Sequence, residues 1–361
     1  MNMLSKQLNR KRTRDSNLEL LRIISMFLVM FVHYLPLREP TTAEMVIDHP
    51  YKALLNLEFH SIAIICVNCF ILISGYFGIR WKWKSFVNLL WQLVFWAIIG
   101  YFIAAYLIEP FITLNQEYGL KQFLNKFLDY YQGRWFVSAY LTLYIFSPVI
   151  NAYIDRASIQ DFSKFIIIFY AFSTIYGYFI RSIEFNTGLS AISLFGIYMI
   201  GAWLRKADYR FLKYNRWIDL GIFFFLTIVL TVANYILLRF NIEKSLYGYL
   251  NPIVILESMA LFQFFRKLDI GSIRWINFIA SSAFAAFLFH CHPFIGNFYS
   301  IACRYCNDTF QFSVIYATLF ICAIFGFTVL LDKIRIVMFD LLADISCRAT
   351  KSYPPLHNLQ A

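Results

Sequence analysis

Charged residues are what this sequence has least of. Asp, Glu, Lys and Arg make up 15% of its 361 residues, and acids are the scarcer sign, 21 against 32 Lys and Arg. A soluble domain carries about 25% charged and about 45–50% apolar residues, whereas 60% of this chain is hydrophobic and 20% aromatic. That balance excludes an ordinary soluble enzyme and implies a polytopic membrane protein. The apolar runs are long and unbroken, which excludes a β-barrel of short alternating strands. No basic domain stands apart from these runs, so the net charge of +11 does not mark a nucleic-acid partner. Cations fall instead in short segments between the runs, as cytoplasmic loops do. Heptads, internal repeats and low-complexity tracts are missing. The seven cysteines are odd in number, and Cys303-Arg-Tyr-Cys306 lacks the second ligand pair that a zinc site needs. No small-residue cleavage pattern follows the first apolar run, so it reads as a signal anchor.

The expected fold is all-α. Ten transmembrane helices are expected near residues 18–37, 60–79, 86–108, 135–153, 163–180, 188–204, 217–238, 246–265, 275–299 and 312–337, each close to the length a spanning helix needs. Residues 1–16 form a basic tail, 17–338 the membrane domain, and 339–361 a second tail containing Pro354-Pro355 that is expected to be disordered. With both termini inside, 23 of the 32 Lys and Arg fall on the cytoplasmic side, as the positive-inside rule requires. The longest outer loop, about 109–134, places Leu120, Phe123, Leu124, Phe127 and Leu128 on one helical face. This reads as an interfacial amphipathic helix, lying on the headgroups or capping an outward cavity.

Ionisable groups inside spans are costly and mark function. The first span carries Glu19, Arg22 and His33. Arg22 and His33 share one helix face, about 16 Å apart along the axis, and Glu19 sits where it can pair with Arg22. His33, with Pro36 closing the helix beyond it, suits a general base acting on a hydroxyl. Arg22, near the cytoplasmic mouth, suits a phosphate. His290 lies as far into the ninth span as His33 lies into the first, so the two should reach similar depth. His292, two residues on, cannot share that face. A metal held by His33 and His290 would lack a nearby carboxylate, and none is expected. Glu257 is a mid-span acid that needs a partner or a wet cavity; proton relay, substrate contact and pairing with an arginine stay open. Arg80, Lys82 and Lys84 alternate with Trp81 and Trp83, as an interface anchor or a phosphate-binding mouth.

These residues resemble the acyltransferase 3 family, membrane proteins that acylate cell-surface sugars. Glu19, Arg22 and His33 match the family's first-helix spacing. Phe70-Ile-Leu-Ile-Ser74-Gly75-Tyr76, Arg134-Trp135-Phe136 and Ser282-Ala-Phe-Ala-Ala-Phe-Leu-Phe-His290 are similar to later family segments, in family order across nearly the whole chain. One segment departs: Lys84-Ser-Phe-Val-Asn88 stands where the family commonly has R-x-x-R. The resemblance implies an O-acyltransferase of a bacterial inner membrane. Acetyl-CoA would be its cytoplasmic donor, and a hydroxyl of a surface or lipid-linked polysaccharide its acceptor. It implies that His33 deprotonates the acceptor or carries the acyl group, that His290 orients or assists it, and that Glu19 also serves catalysis. Arg22 with Arg80, Lys82 and Lys84 would hold the donor, and Trp135 with Glu257 would contact the acceptor. The competing expectation is a transporter or flippase for a lipid-linked glycan.

Overall fold

A backbone in lipid must satisfy its hydrogen bonds internally, and the apolar runs accordingly become helices. The computed structural model describes residues 15–38, 41–133, 135–180, 182–207, 214–242, 244–309 and 313–351. The basic tail before residue 15, Arg134 and Pro354-Pro355 lie outside the described residues. The elements are α1 Ser16–Arg38, α2 Ala43–Asp48, α3 Pro50–Ile64, α4 Cys66–Phe77, α5 Trp83–Phe102, α6 Leu120–Gly133, α7 Trp135–Arg156 and α8 Ile159–Ile175. They continue as α9 Ile183–Asn186, α10 Ala191–Ala207, α11 Arg216–Arg239, α12 Pro252–Arg266, α13 Arg274–Ala280, α14 Ala283–His290, α15 Gly296–Thr309 and α16 Ser313–Lys351. Two π-helical stretches, Ile103–Ile108 and Tyr176–Ile180, extend α5 and α8.

Seven helical stretches among the described residues are long and apolar enough to cross a membrane: Ser16–Leu35, Pro50–Phe77, Trp83–Ile108, Trp135–Arg156, Ile159–Ile180, Arg216–Arg239 and Val314–Ile345. The chain is therefore an all-α polytopic membrane protein. Three of the ten expected spans take shorter forms. Residues 188–204 and 246–265 correspond to α10 and α12, of 17 and 15 residues. The stretch 275–299 is broken at Ser281-Ser282 and again after His290, where Pro293 cannot continue a helix. Backbone irregular at membrane depth is tolerated when it is buried in protein, and Ser282, Cys291 and His292 are all buried. Span boundaries also shift. The second stretch begins at Pro50, ten residues before the expected start, because Thr42 caps α2 and Pro50 opens α3. The first helix runs two residues past Pro36, and α16 continues to Lys351 through residues assigned to the second tail.

Lipid-facing side chains such as Ile167, Ile168, Phe225, Ile228, Leu319 and Leu330 are exposed and apolar, as a bilayer requires. At the centre, α10 lies against α4 backbone to backbone. A β-carbon on Gly75 would stand 2.1 Å from the Tyr198 carbonyl oxygen, and one on Gly201 would stand 2.3 Å from that of Leu72. Only glycine permits this approach. The N-terminus of α1 is tied to the loop before α13: Ser16 Oγ accepts from the Ile273 N–H at 2.7 Å, and the Ser16 N–H donates to the Gly271 carbonyl at 2.9 Å. That tie sets α1 and the α13–α14 segment side by side in register. His33 and His290 each lie seventeen residues beyond the tied pair, and so they meet.

Candidate active site

His33 Nδ1 lies 2.8 Å from His290 Nε2. His290 Nδ1 lies 2.6 Å from the Ala286 carbonyl oxygen, one turn back on α14. A carbonyl only accepts, so His290 Nδ1 carries the proton and its Nε2 offers a lone pair. His33 Nδ1 then donates to that lone pair, and the remaining lone pair of His33 is on Nε2. The tautomers follow from the hydrogen-bond partners. Cys291 Sγ touches both rings, 3.4 Å from His33 Nδ1 and 3.3 Å from His290 Nε2. Tyr299 packs on His290 with ring centroids 5.3 Å apart, and its hydroxyl is fixed by donating to the Met30 carbonyl at 2.8 Å. His290 and Cys291 are buried, while His33 is exposed toward a cleft. His33, His290 and Cys291 are also the one cluster of metal-ligand atoms among the described residues, all within 4.8 Å of one another.

His292 turns away from this pair. Its Nδ1 accepts from the Phe294 N–H at 3.2 Å and its Nε2 lies 3.1 Å from the Ala97 carbonyl. The ring rests on Gly100, where a β-carbon would come within 2.7 Å of it. Both ring nitrogens are satisfied by backbone, which makes His292 a structural residue.

The cleft beside His33 has a volume of about 30 Å³ and is lined by Met26, Val29, Phe70, Trp135, Phe136 and Tyr249, among others. Trp135 therefore lies at the site, its ring 5.5 Å from that of Tyr249. At the other end of α1, Arg22 pairs with the buried Glu19, about 21 Å along the helix from His33 for Glu19. Glu19 thus orients Arg22 and does not touch the histidine pair. Tyr140 and Ser74 adjoin each other near Arg22, with Tyr140 inside the field of its guanidinium.

The cationic mouth is assembled differently from the sequence expectation. A cavity of about 450 Å³ is lined by Phe77, Gly78, Arg80, Asn151, Ile154, Asp155, Arg205 and Lys206. Arg80 belongs to it, whereas Lys82 and Lys84 do not. Both are exposed, and Lys84 reaches Asp340 at 3.9 Å. Arg205 was missed because it comes from α10, far away in sequence. Lys206 caps α7 by donating to the carbonyls of Ile154 and Ala157. Asn151 is held by Tyr198, whose hydroxyl donates to Asn151 Oδ1 at 2.7 Å while accepting from the Ile79 N–H at 2.9 Å. A further cation, Arg335 of α16, is buried on Asn88 at 2.9 Å and pairs with Asp332 at 2.6 Å; Trp96 also donates to Asp332 at 3.1 Å. It lies beside the segment where family arginines were expected.

Glu257 is not brought to the histidines. It is buried on α12 and accepts at Oε1 from the Thr227 hydroxyl on α11, while its Oε2 is buried with no hydrogen-bond partner among the described residues. The amphipathic α6 docks on protein through part of its apolar face. Phe123 packs on Tyr101 at 5.2 Å, and the Lys126 ammonium sits 4.3 Å above the Phe294 ring while donating to Gln116 Oε1 at 2.6 Å. Burial lowers the Lys126 pKa. Lys126 thus lies over Phe294 in the turn that follows His292, and Leu120 and Leu124 remain exposed. Cys303 and Cys306 are both free thiols.

A multi-pass helical membrane protein with a paired-histidine centre beside a narrow cleft, and cations lining another cavity, is the class defined by this fold and site. A family model described as an acyltransferase domain matches residues 15–333. The chain belongs to the acyltransferase 3 family, and that membership implies acyltransferase activity. No curated protein and no solved structure matches it significantly.

Proposed function

We propose that the protein is an O-acyltransferase that moves an acyl group, acetyl in the first instance, from cytoplasmic acyl-CoA to a hydroxyl of a surface or lipid-linked polysaccharide. The observation that carries this reading is the His33–His290 contact beside the narrow cleft. Its tautomers leave His33 Nε2 as the base. His33 takes the proton of the acceptor hydroxyl as the oxygen attacks the thioester carbonyl. The imidazolium that forms keeps its Nδ1–H on His290 Nε2, and His290 passes the polarisation to the Ala286 carbonyl. The proton then goes to the departing CoA thiolate. The orienting histidine thus does for His33 what a carboxylate does in a serine-protease triad: it holds the tautomer and stabilises the charge.

The topology in this proposal has ten spans with both termini in the cytoplasm of a bacterium whose inner membrane holds the chain. Two cavities support it. The segments around Arg80, Asn151 and Arg205 gather at one cavity, and all are span ends that this topology puts inside. The segments around Tyr178, Leu189 and Tyr247 gather at another, and these are span ends that it puts outside. Helix α10 runs from the second cavity to the first, as a crossing helix would. Arg80 and Arg205 hold the phosphates of the donor, and Arg22 guides the pantetheine arm along α1. The direct test supplies radiolabelled acetyl-CoA to membranes containing the protein. Ester-linked label on glycan is expected. A parent protein that labels no glycan while moving a lipid-linked sugar across the membrane would establish the transporter reading instead.

A further inference from the structure

The cleft beside His33 is too small for a sugar. Its volume of about 30 Å³ admits roughly two waters, enough for one hydroxyl and the reacting carbonyl. The ring that carries the hydroxyl must sit elsewhere, next to the cleft. A cavity of about 350 Å³ adjoins it, and Tyr249 lines both. That volume lies in the range of small-ligand sites. Its polar walls come from Tyr178, Thr187, Lys244, Ser245, Tyr247 and Tyr249.

The walls are held in place. Tyr247 is stacked on His60 with ring centroids 4.0 Å apart, and its hydroxyl donates to the Leu57 carbonyl at 3.0 Å. The Tyr249 N–H donates to the Thr187 carbonyl at 3.1 Å, and the Tyr249 carbonyl accepts from Asn68 at 3.0 Å. Walls of fixed tyrosine, threonine and serine side chains suit a pyranose, whose C–H faces pack on aromatic rings and whose hydroxyls bond to polar groups. Lys244 carries the only formal charge among the described lining residues, and no described carboxylate lines the cavity to oppose it. A lone ammonium in such a wall selects a negative group as a point charge.

We infer that this cavity is the acceptor subsite and that it takes a pyranoside bearing an anionic group, a carboxylate or a phosphate, held by Lys244 with one hydroxyl directed past Tyr249 to His33. The inference rests on the proposed function. Its test reads binding without activity. Ser245→Cys in the full chain, in intact cells, is labelled by a membrane-impermeant maleimide, with the parent as background and Tyr178→Cys as the second position. Methyl glucuronide or glucose 1-phosphate slows labelling about 2- to 5-fold more than methyl glucoside, the scale of a solvent-facing ion pair. Adding Lys244→Gln removes the difference. A larger effect of the glucuronide identifies the carboxylate, and a larger effect of the phosphate identifies the phosphate. Labelling only after permeabilisation, labelling at neither position, equal protection by all three sugars, or none by any, would overturn the inference. Charge-dependent protection in a parent that transfers no acyl group would leave the subsite standing and sink the enzymatic reading alone.

Discussion

Removing His290 tests the pairing on which the chemistry depends. His33 donates from Nδ1 to His290 Nε2 at 2.8 Å, and that bond becomes charge-assisted once His33 holds the acceptor's proton. A hydrogen bond to a charged group contributes about 1.5–3 kcal/mol. The ground-state bond is neutral and weaker, so most of the difference falls on the transition state. At 1.36 kcal/mol per decade, His290→Ala should lower kcat by about 10- to 150-fold and leave the KM for acyl-CoA within about 2-fold. His290→Gln retains a carbonyl oxygen that can accept from Nδ1–H, and should recover part of the loss. The histidines act as one unit, so the His33→Ala/His290→Ala double variant should be hardly slower than His33→Ala alone. The assay is initial-rate acyl transfer in membranes at matched expression, with detergent gel filtration to confirm folding. An unchanged kcat in His290→Ala, or fully additive losses, would refute the pairing.

Two other perturbations probe the fold and the mouth. Arg205→Ala should raise the KM for acyl-CoA by about 10- to 150-fold, the value of a charge-assisted bond to phosphate, whereas Lys82→Ala and Lys84→Ala change it by less than about 2-fold; the reverse order would return the donor site to the tryptophan-flanked lysines. Gly75→Ala places a methyl group 2.1 Å from the Tyr198 carbonyl oxygen, so it should cost about 1–3 kcal/mol of packing and lower the thermal midpoint in detergent. An unchanged midpoint would show that α4 and α10 do not meet as closely as described.

Much of this was legible in the sequence because counting along a helix is reliable. His33 and His290 could be matched in depth from their span positions alone, and the Ser16–Ile273 tie explains why the match holds across a broken helix. The break itself was less visible. Ser281-Ser282 and Pro293 are punctuation marks in an otherwise apolar run, and a hydropathy reading passes over them. Cys291 was hidden for a different reason: as the residue between two histidines it has no helical partner of its own, and only the turn after α14 brings its sulfur to both rings. Arg205 and Tyr249 come from helices and loops that meet the site through tertiary packing, which no local pattern encodes. Glu257 drew attention as a mid-span acid, yet one threonine hydroxyl on α11 meets it.

The most direct measurement compares the parent protein with His33→Ala for transfer of radiolabelled acetyl from acetyl-CoA to membrane glycan, at matched expression. The parent should label the glycan and the variant should lose about 10²- to 10⁴-fold, the span of general-base catalysis, with acyl-CoA binding retained. Equal labelling by the two proteins would remove His33 from the reaction.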